Sequence, residues 1–70
     1  MAVGKVPVPV ARKLANLTQK ALADICGVSE STVANWEKFK TEPTVSQAQT
    51  IANACGLALD DIIFLPENTV

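Results

Sequence analysis

The sequence predicts an all-α fold, a compact bundle of five short helices. The chain has 70 residues, which is enough for one small domain with a single core. Hydrophobic residues make up 49% of it and aromatic residues only 4%, a composition that fits a mostly helical globular protein rather than a disordered one. Apolar residues recur at helical spacing in segments that end at glycine, asparagine or proline, and these segments define the helices.

The start of the chain predicts an extended arm followed by a short helix. Residues 1–7 are rich in valine and proline, and proline disfavours helix at the residue before it. Pro9 suits the first turn of a helix, where a missing N–H costs nothing, and Asn16 suits the left-handed conformation at a helix end. The expected apolar face of this helix consists of Val10, Leu14 and Leu17.

Two helices joined by a tight turn are expected next. Thr18 is placed to cap a helix over Gln19–Cys26, and Ser29 to cap a helix from residue 30 to about residue 38. Gly27 ends the first of these helices and lets the chain turn sharply. The expected inward residues are Ala21, Leu22 and Ile25 in the first helix and Val33 and Trp36 in the second, with Val28 packed beneath its start.

The remaining residues predict a loop over residues 39–43 and two more helices. Thr44 and Gln47 are spaced for a capping box at the start of the fourth helix, which Gly56 ends. A fifth short helix is expected over residues 59–65, with two aspartates against its positively charged end and Pro66 as its stop. The expected buried face of the fourth helix consists of Val45, Ala48, Ile51, Ala52 and Cys55.

The residue types exclude most enzyme classes. The chain has no histidine and two cysteines, so a His/Cys zinc site, a Ser-His triad and a Cys-His pair are all excluded. We therefore expect no catalysis, no metal and no cofactor, and no small-molecule ligand is evident. No apolar run reaches the length of a membrane span, because charged residues interrupt each one. Residues 1–10 also lack the continuous apolar stretch of a signal peptide. We expect a cytoplasmic protein with no membrane partner.

The two cysteines occupy matching positions. Cys26 and Cys55 each precede a glycine at the end of an apolar segment. The favoured interpretation is a pair of small buried thiols in a reducing compartment, and a disulfide is the alternative.

Charge is distributed unevenly along the chain. The net charge of −1 argues at first against a nucleic-acid partner. However, residues 1–40 hold all six cations and three anions, whereas residues 41–70 hold four anions and no cation. A polyanion responds to the local field, which is screened over about 8 Å at physiological salt. The net charge therefore does not exclude nucleic acid, although chance is the alternative explanation for the asymmetry in so small a chain.

The strongest functional signal lies between Leu17 and Glu37. Two helices are separated there by a glycine-containing turn, with Ala23 small where the helices must approach closely. Val28 and Val33 are apolar at the buried positions after the turn. This pattern is typical of a helix-turn-helix, in which the second helix projects so that it fits a DNA major groove.

On these residues the chain resembles the Cro/repressor-type (XRE-like) helix-turn-helix regulators. The resemblance implies a lambda-repressor-like DNA-binding domain over residues 8–65, with the helix-turn-helix at about 18–37, an arm over 1–7 and a tail over 66–70. The matching residues run without a gap and are Leu17-Thr18-Gln19, Leu22-Ala23, Gly27-Val28-Ser29, Thr32-Val33, Asn35-Trp36-Glu37, Glu42-Pro43 and Gly56-Leu57-x-Leu59-Asp60-Asp61-Ile62.

The resemblance also implies site residues. It places base contacts at Glu30, Ser31 and Asn35 and a phosphate contact at Gln19. Ala34 faces outward at the same helical spacing and is a further expected base contact. The residue types of Lys20, Thr32, Lys38, Lys40 and Thr44 make them the further expected phosphate contacts. Asn35 suits adenine and Ala34 a thymine methyl, whereas Glu30 either accepts from cytosine N4 or stabilises the helix dipole. For Gln19 and the lysines, simple solvation is the alternative. Arg12 and Glu37 fall where the family places an ion pair that would fix the reading helix against the body.

Phe39 and Ala58 depart from the family pattern. The position of Phe39 is commonly glycine, which permits a left-handed turn. The alternatives are a different loop path, packing of the ring beside Trp36, or an exposed anchor for a partner. Ala58 replaces the usual capping residue and weakens the start of the last helix.

The resemblance implies a sequence-specific double-stranded DNA-binding transcription regulator of a prokaryotic cell or a phage-infected host. Because the chain has few cations to contact phosphates, we expect it to bind a palindromic operator as a homodimer. Its size favours a small Cro-like repressor, and the alternative is the DNA-binding part of something longer. The expected dimer surface consists of Ile62, Ile63, Phe64 and Leu65, and the alternative is that these residues seal the bundle. Two other functions remain open: a protein-interaction module on the same fold, such as a coactivator bridge or an antitoxin-type partner, and a transcription activator.

Overall fold

The computed structural model describes residues 5–64, which form four α-helices, one turn of 3-10 helix and a two-stranded parallel sheet. The helices are α1 (Val8–Leu14), α2 (Gln19–Cys26), α3 (Glu30–Glu37) and α4 (Val45–Cys55), and the 3-10 turn is Leu59–Asp61. The strands are β1 (Val6–Pro7) and β2 (Ile62–Ile63), with Val6 opposite Ile62 and Pro7 opposite Ile63. None of the helices in this part of the chain combines the length and apolar character that a bilayer crossing requires.

The predicted fifth helix over residues 59–65 is wrong. The chain makes only the 3-10 turn there and then extends into β2, where Ile62 has φ −117° and ψ 136°. Two causes are visible: the side chain of Ala58 makes no capping hydrogen bond, and the β-branched pair Ile62–Ile63 meets β1 as a pairing partner. The five-helix bundle is therefore corrected to four helices closed by a small sheet, while Leu65 and Pro66 lie outside the described residues.

The expected arm over residues 1–7 contains β1. Val6 and Pro7 are extended, as the prolines predict, and they pair with β2 instead of standing free. Residues 1–4 and the tail over residues 66–70 lie outside the described part of the chain.

The predicted N-terminal caps are confirmed. Thr18, Ser29 and Thr44 each accept a hydrogen bond from the N–H three residues on, at 3.0, 3.2 and 3.1 Å. The side chain of Gln47 accepts from the Thr44 N–H at 2.8 Å, which completes the capping box. Each cap satisfies a backbone donor that the helix leaves unpaired and is worth about 1 kcal/mol.

The four α-helices of residues 5–64 all end in the same way. A residue with left-handed backbone donates its N–H to the carbonyl three residues back, and the next N–H reaches the carbonyl five residues back, at 2.9–3.3 Å. These are the paired hydrogen bonds of the Schellman motif. The left-handed residues are Asn16, Gly27, Phe39 and Gly56, with φ of 60°, 72°, 60° and 70°.

Phe39 is the exception among these four helix ends. Glycine has no Cβ to clash in this conformation and asparagine tolerates it, but a bulky side chain is strained there by about 1–2 kcal/mol. The loop does not take another path to avoid this strain, because the motif at the end of α3 has the same hydrogen bonds as the other three. Phe39 remains 38% exposed.

The core lies where the four helices meet. Leu22, Ile51, Val8 and Val33 are its largest fully buried side chains. Burial of Val33 and Trp36 on α3, and of Ala48, Ile51 and Ala52 on α4, confirms the sequence prediction. Val28 packs against this core from the turn before α3, as predicted.

Four residues predicted to face the core are exposed instead. They are Val10 (41%), Leu14 (71%), Ile25 (50%) and Val45 (80%). The buried residues of α1 are Val8, Ala11 and Arg12, so the inner face of this helix includes a charged side chain. This rotates Val10 and Leu14 outward, and on α2 the buried pair is Leu22 and Ala23.

Cys26 and Cys55 are free thiols, half-buried against the core. Burial raises the pKa of Cys26, and it is the main cause that raises the pKa of Cys55. The charge of Cys26 raises the pKa of Cys55 further, and the charge of Arg12 lowers it.

Phe39 offers a direct measurement of backbone strain. We expect Phe39→Gly to be more stable than Phe39→Ala by about 1 kcal/mol, because both lose the ring but only glycine relaxes at φ 60°. Chemical denaturation of the two variants measures the difference. Equal stabilities would show that the left-handed turn is not strained.

The thiols predict a loss of stability at alkaline pH. A thiol whose pKa is higher in the folded than in the unfolded chain stabilises the fold fully below the unfolded pKa, about 8.5, and this stabilisation is lost as the pH rises. We expect the free energy of unfolding to fall between pH 8 and 10 more steeply in the wild type than in a Cys26→Ala/Cys55→Ala variant. Parallel pH profiles would contradict the expectation.

Candidate nucleic-acid interface

α2 and α3 are joined by a three-residue turn that fixes their relative position. Gly27 reverses the chain in the left-handed conformation, and Ser29 caps α3. Val33 and Trp36 then anchor the inner side of α3 in the core, with exposures of 0% and 2%. The opposite side of α3 is left available for contact with another molecule.

The outer side of α3 carries the predicted base contacts. Glu30 and Ser31 are exposed, and Ala34 and Asn35 are half-buried. Among the side-chain hydrogen bonds of residues 5–64, none engages Glu30, Ser31 or Asn35. These polar groups are therefore available to a ligand.

Arg12 and Glu37 are in contact and nearly buried. The Arg12 Nε lies 2.6 Å from Glu37 Oε2, and the two side chains are 10% and 8% exposed. Arg12 Nη2 also donates to Glu37 Oε1 at 3.4 Å, and Nη1 donates to the Leu17 carbonyl at 2.9 Å. The pair ties the last residue of α3 to α1 and to the turn before α2.

Gln19 joins this ion pair, a contact that the sequence reasoning missed. Its Nε2 donates to Glu37 Oε1 at 2.9 Å. The phosphate contact predicted for Gln19 assumes that its side chain is free. In the structure its amide, at the first position of α2, is held by Glu37, which is 18 residues away in the sequence. The sequence signal for this contact is limited to the resemblance that pairs Glu37 with Arg12.

The other side chains predicted to contact phosphate differ in whether they already have a hydrogen-bond or ion-pair partner in the fold. Lys38 and Lys40 are exposed at the end of α3. Lys20 is exposed too, but its ammonium lies 3.6 Å from the Asp24 carboxylate. The Thr32 hydroxyl is hydrogen bonded to Ser29 at 2.9 Å, and the Thr44 hydroxyl caps α4. Of the three lysines predicted to contact phosphate, Lys38 and Lys40 thus form no ion pair within residues 5–64.

A family model for helix-turn-helix proteins matches residues 11–62. The chain belongs to the helix-turn-helix family. The match runs from within α1 to the first residue of β2, so it includes all of α2, α3 and α4 and not only the α2–turn–α3 unit. A relative from Methanocaldococcus jannaschii, named an uncharacterized HTH-type transcriptional regulator, is 39% identical over 57 residues. The aligned segment covers 81% of this chain and 86% of the relative.

In this helix-turn-helix domain, part of the predicted dimer surface is unavailable. Ile62 is 4% exposed, because it pairs with Val6 and lies in the core. Ile63 and Phe64 are half-buried, and Phe64 packs against the core. For Ile62 and Phe64 the alternative, that this cluster seals the fold, describes the structure better. Leu65 lies outside the described residues.

Two ion pairs found within residues 5–64 give a test of how α3 is held. We expect Glu37→Ala to destabilise the fold by about 3 kcal/mol, because it leaves the Arg12 guanidinium buried without its partner. Asp24→Ala is the matched control, since it breaks an ion pair whose side chains are 73% and 68% exposed. We expect a loss below about 0.5 kcal/mol for that variant. Similar losses in the two variants, measured by chemical denaturation, would contradict the role given to Glu37.

Proposed function

We propose that this chain is a sequence-specific double-stranded DNA-binding transcription regulator. The observation that carries the proposal is the contrast between the two sides of α3. Its inner side is anchored by Val33, Trp36 and the buried Glu37 ion pair. The side-chain polar groups of Ser31 and Asn35 form none of the side-chain hydrogen bonds found within residues 5–64. A rigid helix with available polar groups is what reading a major groove requires.

The helix fits the dimensions of the groove. Eight residues make α3 about 12 Å long at 1.5 Å per residue. The major groove of B-DNA is about 12 Å wide and admits one helix. Entering by its N-terminal end, α3 brings Glu30 and Ser31 to the base edges first, and Asn35 follows about one turn later.

The chemistry of these side chains suggests which bases they read. The Asn35 amide suits bidentate pairing with adenine N6 and N7, and the Ala34 methyl suits contact with a thymine methyl. Ser31 can donate or accept at several bases, and the Glu30 carboxylate can accept from cytosine N4. Each good bidentate pair discriminates by about 1–3 kcal/mol, so Asn35 is expected to dominate.

Phosphate contacts would come from the two ends of the helix-turn-helix. Lys38 and Lys40 lie just after α3, and Lys20 lies in the first turn of α2. Unpaired N–H groups and the positive end of the dipole favour a phosphate at the start of α2, beside Gln19. Thr32 and Thr44 would contribute through hydroxyl groups that also serve as local hydrogen-bond partners.

A homodimer on a palindromic operator would compensate for the small number of cations. A protein that neutralises only a few phosphates binds DNA weakly at physiological salt. Two copies on half-sites about one helical turn apart would combine their contacts. Within the predicted dimer surface, Ile63 is half-buried outside the core cluster and is the described residue that remains available for this role. A small Cro-like repressor is the form of regulator that this proposal favours.

The second candidate function is a protein-interaction module on the same fold. It is favoured by the exposed Glu30 carboxylate, which would approach DNA phosphates from the start of α3. Binding to duplex DNA that weakens steeply with salt supports the regulator, whereas the absence of duplex binding supports the module.

Selection of bound duplexes from a random pool tests the proposal. We expect the wild type to select a palindromic motif, and Asn35→Ala to lose the preference at one symmetric pair of positions because the bidentate contact is gone. Asn53→Ala is the matched control, because Asn53 is an exposed asparagine on α4 whose side chain bonds to Gln49.

Each outcome of the selection has a distinct meaning. An unchanged motif in Asn35→Ala would show that Asn35 does not read the base, and a motif without symmetry would remove the dimer. Failure of the wild type to select any motif would overturn sequence-specific DNA binding.

A further inference from the structure

We infer that the Phe39 ring is itself a DNA contact, which packs against a deoxyribose of the strand whose phosphates Lys38 and Lys40 bind. The inference rests on the proposed DNA-binding function. It adds to the polar contacts of α3 an apolar contact from an aromatic residue that follows this helix. It starts from the backbone of Phe39.

Two features of Phe39 are unfavourable for the isolated chain. The residue has φ 60°, a conformation that glycine or asparagine adopts at the ends of the other three helices in residues 5–64. Phe39 is also 38% exposed, so part of this large apolar residue faces water. Backbone strain that persists in a fold is concentrated at functional sites. An exposed aromatic ring at a strained position is therefore a candidate for contact with another molecule.

The position of Phe39 places it beside the sugar–phosphate backbone of bound DNA. Since α3 is about as long as the major groove is wide, its C-terminal end meets one wall of the groove when its N-terminal end meets the bases. Lys38 follows Ala34 by four residues and Asn35 by three, so it continues the reading side of the helix toward that wall. Phe39 and Lys40 come directly after it.

The chemistry around the ring favours a DNA strand over an apolar protein surface. Lys38 and Lys40 are both exposed and flank Phe39, and Glu42 is the first acidic residue after them. A nucleic-acid strand presents anionic phosphates separated by the C–H faces of deoxyribose. The phosphates would pair with the ammonium groups of Lys38 and Lys40, and a deoxyribose face would pack against the Phe39 ring between them. An apolar protein surface would leave the two ammonium groups without counter-charges.

Variants at position 39 separate ring contact from stability. Phe39→Gly and Phe39→Ala both remove the ring, but only Phe39→Gly relieves the left-handed strain. If the ring contacts DNA, we expect both variants to bind duplex DNA about fivefold more weakly than the wild type at the same salt. Chemical denaturation establishes that both variants are folded under the conditions of the binding measurement. A loss shared by two folded variants of different stability then comes from the missing ring.

The salt dependence of binding separates the ring from its neighbours. Lys40→Ala should lower the slope of log affinity against log salt by about one, because one phosphate contact is lost. The Phe39 variants should leave this slope unchanged, since a ring on a sugar releases no counterion. Leu14→Ala on α1 is the matched control, an exposed apolar residue (71%) outside the helix-turn-helix, and its affinity should equal that of the wild type.

Three results would overturn the inference. Wild-type affinity in both Phe39 variants would show that the ring makes no contact, while leaving DNA binding intact. Weaker binding in Phe39→Gly alone would point to loop flexibility instead of the ring. Absence of salt-dependent duplex binding by the wild type would overturn the proposed function together with the inference.

Discussion

The position of α3 depends on the buried ion pair between Arg12 and Glu37. Two opposite charges that are only 10% and 8% exposed must stay together, because either one alone in the interior is costly. The Leu17 carbonyl and the Gln19 amide occupy further hydrogen-bonding positions of the pair. Rotation of α3 would break several of these bonds at once, so the pair fixes the direction in which Ser31 and Asn35 face.

Local sequence signals predict the helix ends well and the faces less well. Thr18, Ser29 and the glycines act through hydrogen bonds and backbone angles within a few residues, so their roles follow from the sequence alone. The inner face of α1 does not follow from hydropathy, because Arg12 lies inside to meet a carboxylate 25 residues away. The small sheet is equally non-local, because it joins Val6 to Ile62.

The site shows the same division between local and distant effects. That Glu30 and Ser31 lie outward while Val33 and Trp36 lie inward follows from helical spacing after the Ser29 cap. Which polar side chains remain available depends on tertiary contacts that spacing does not encode. Gln19 is engaged with Glu37, whereas Asn35 forms none of the side-chain hydrogen bonds found within residues 5–64.

The parallel pairing of β1 with β2 has a consequence for the order of folding. The sheet joins residues 56 positions apart and covers Ile62, whereas each helix closes through hydrogen bonds between near neighbours. Contacts between distant residues form late, because a long loop must close first. As the chain leaves the ribosome, the helices can therefore form and pack while β1 is still unpaired. The sheet forms only after β2 has been synthesised.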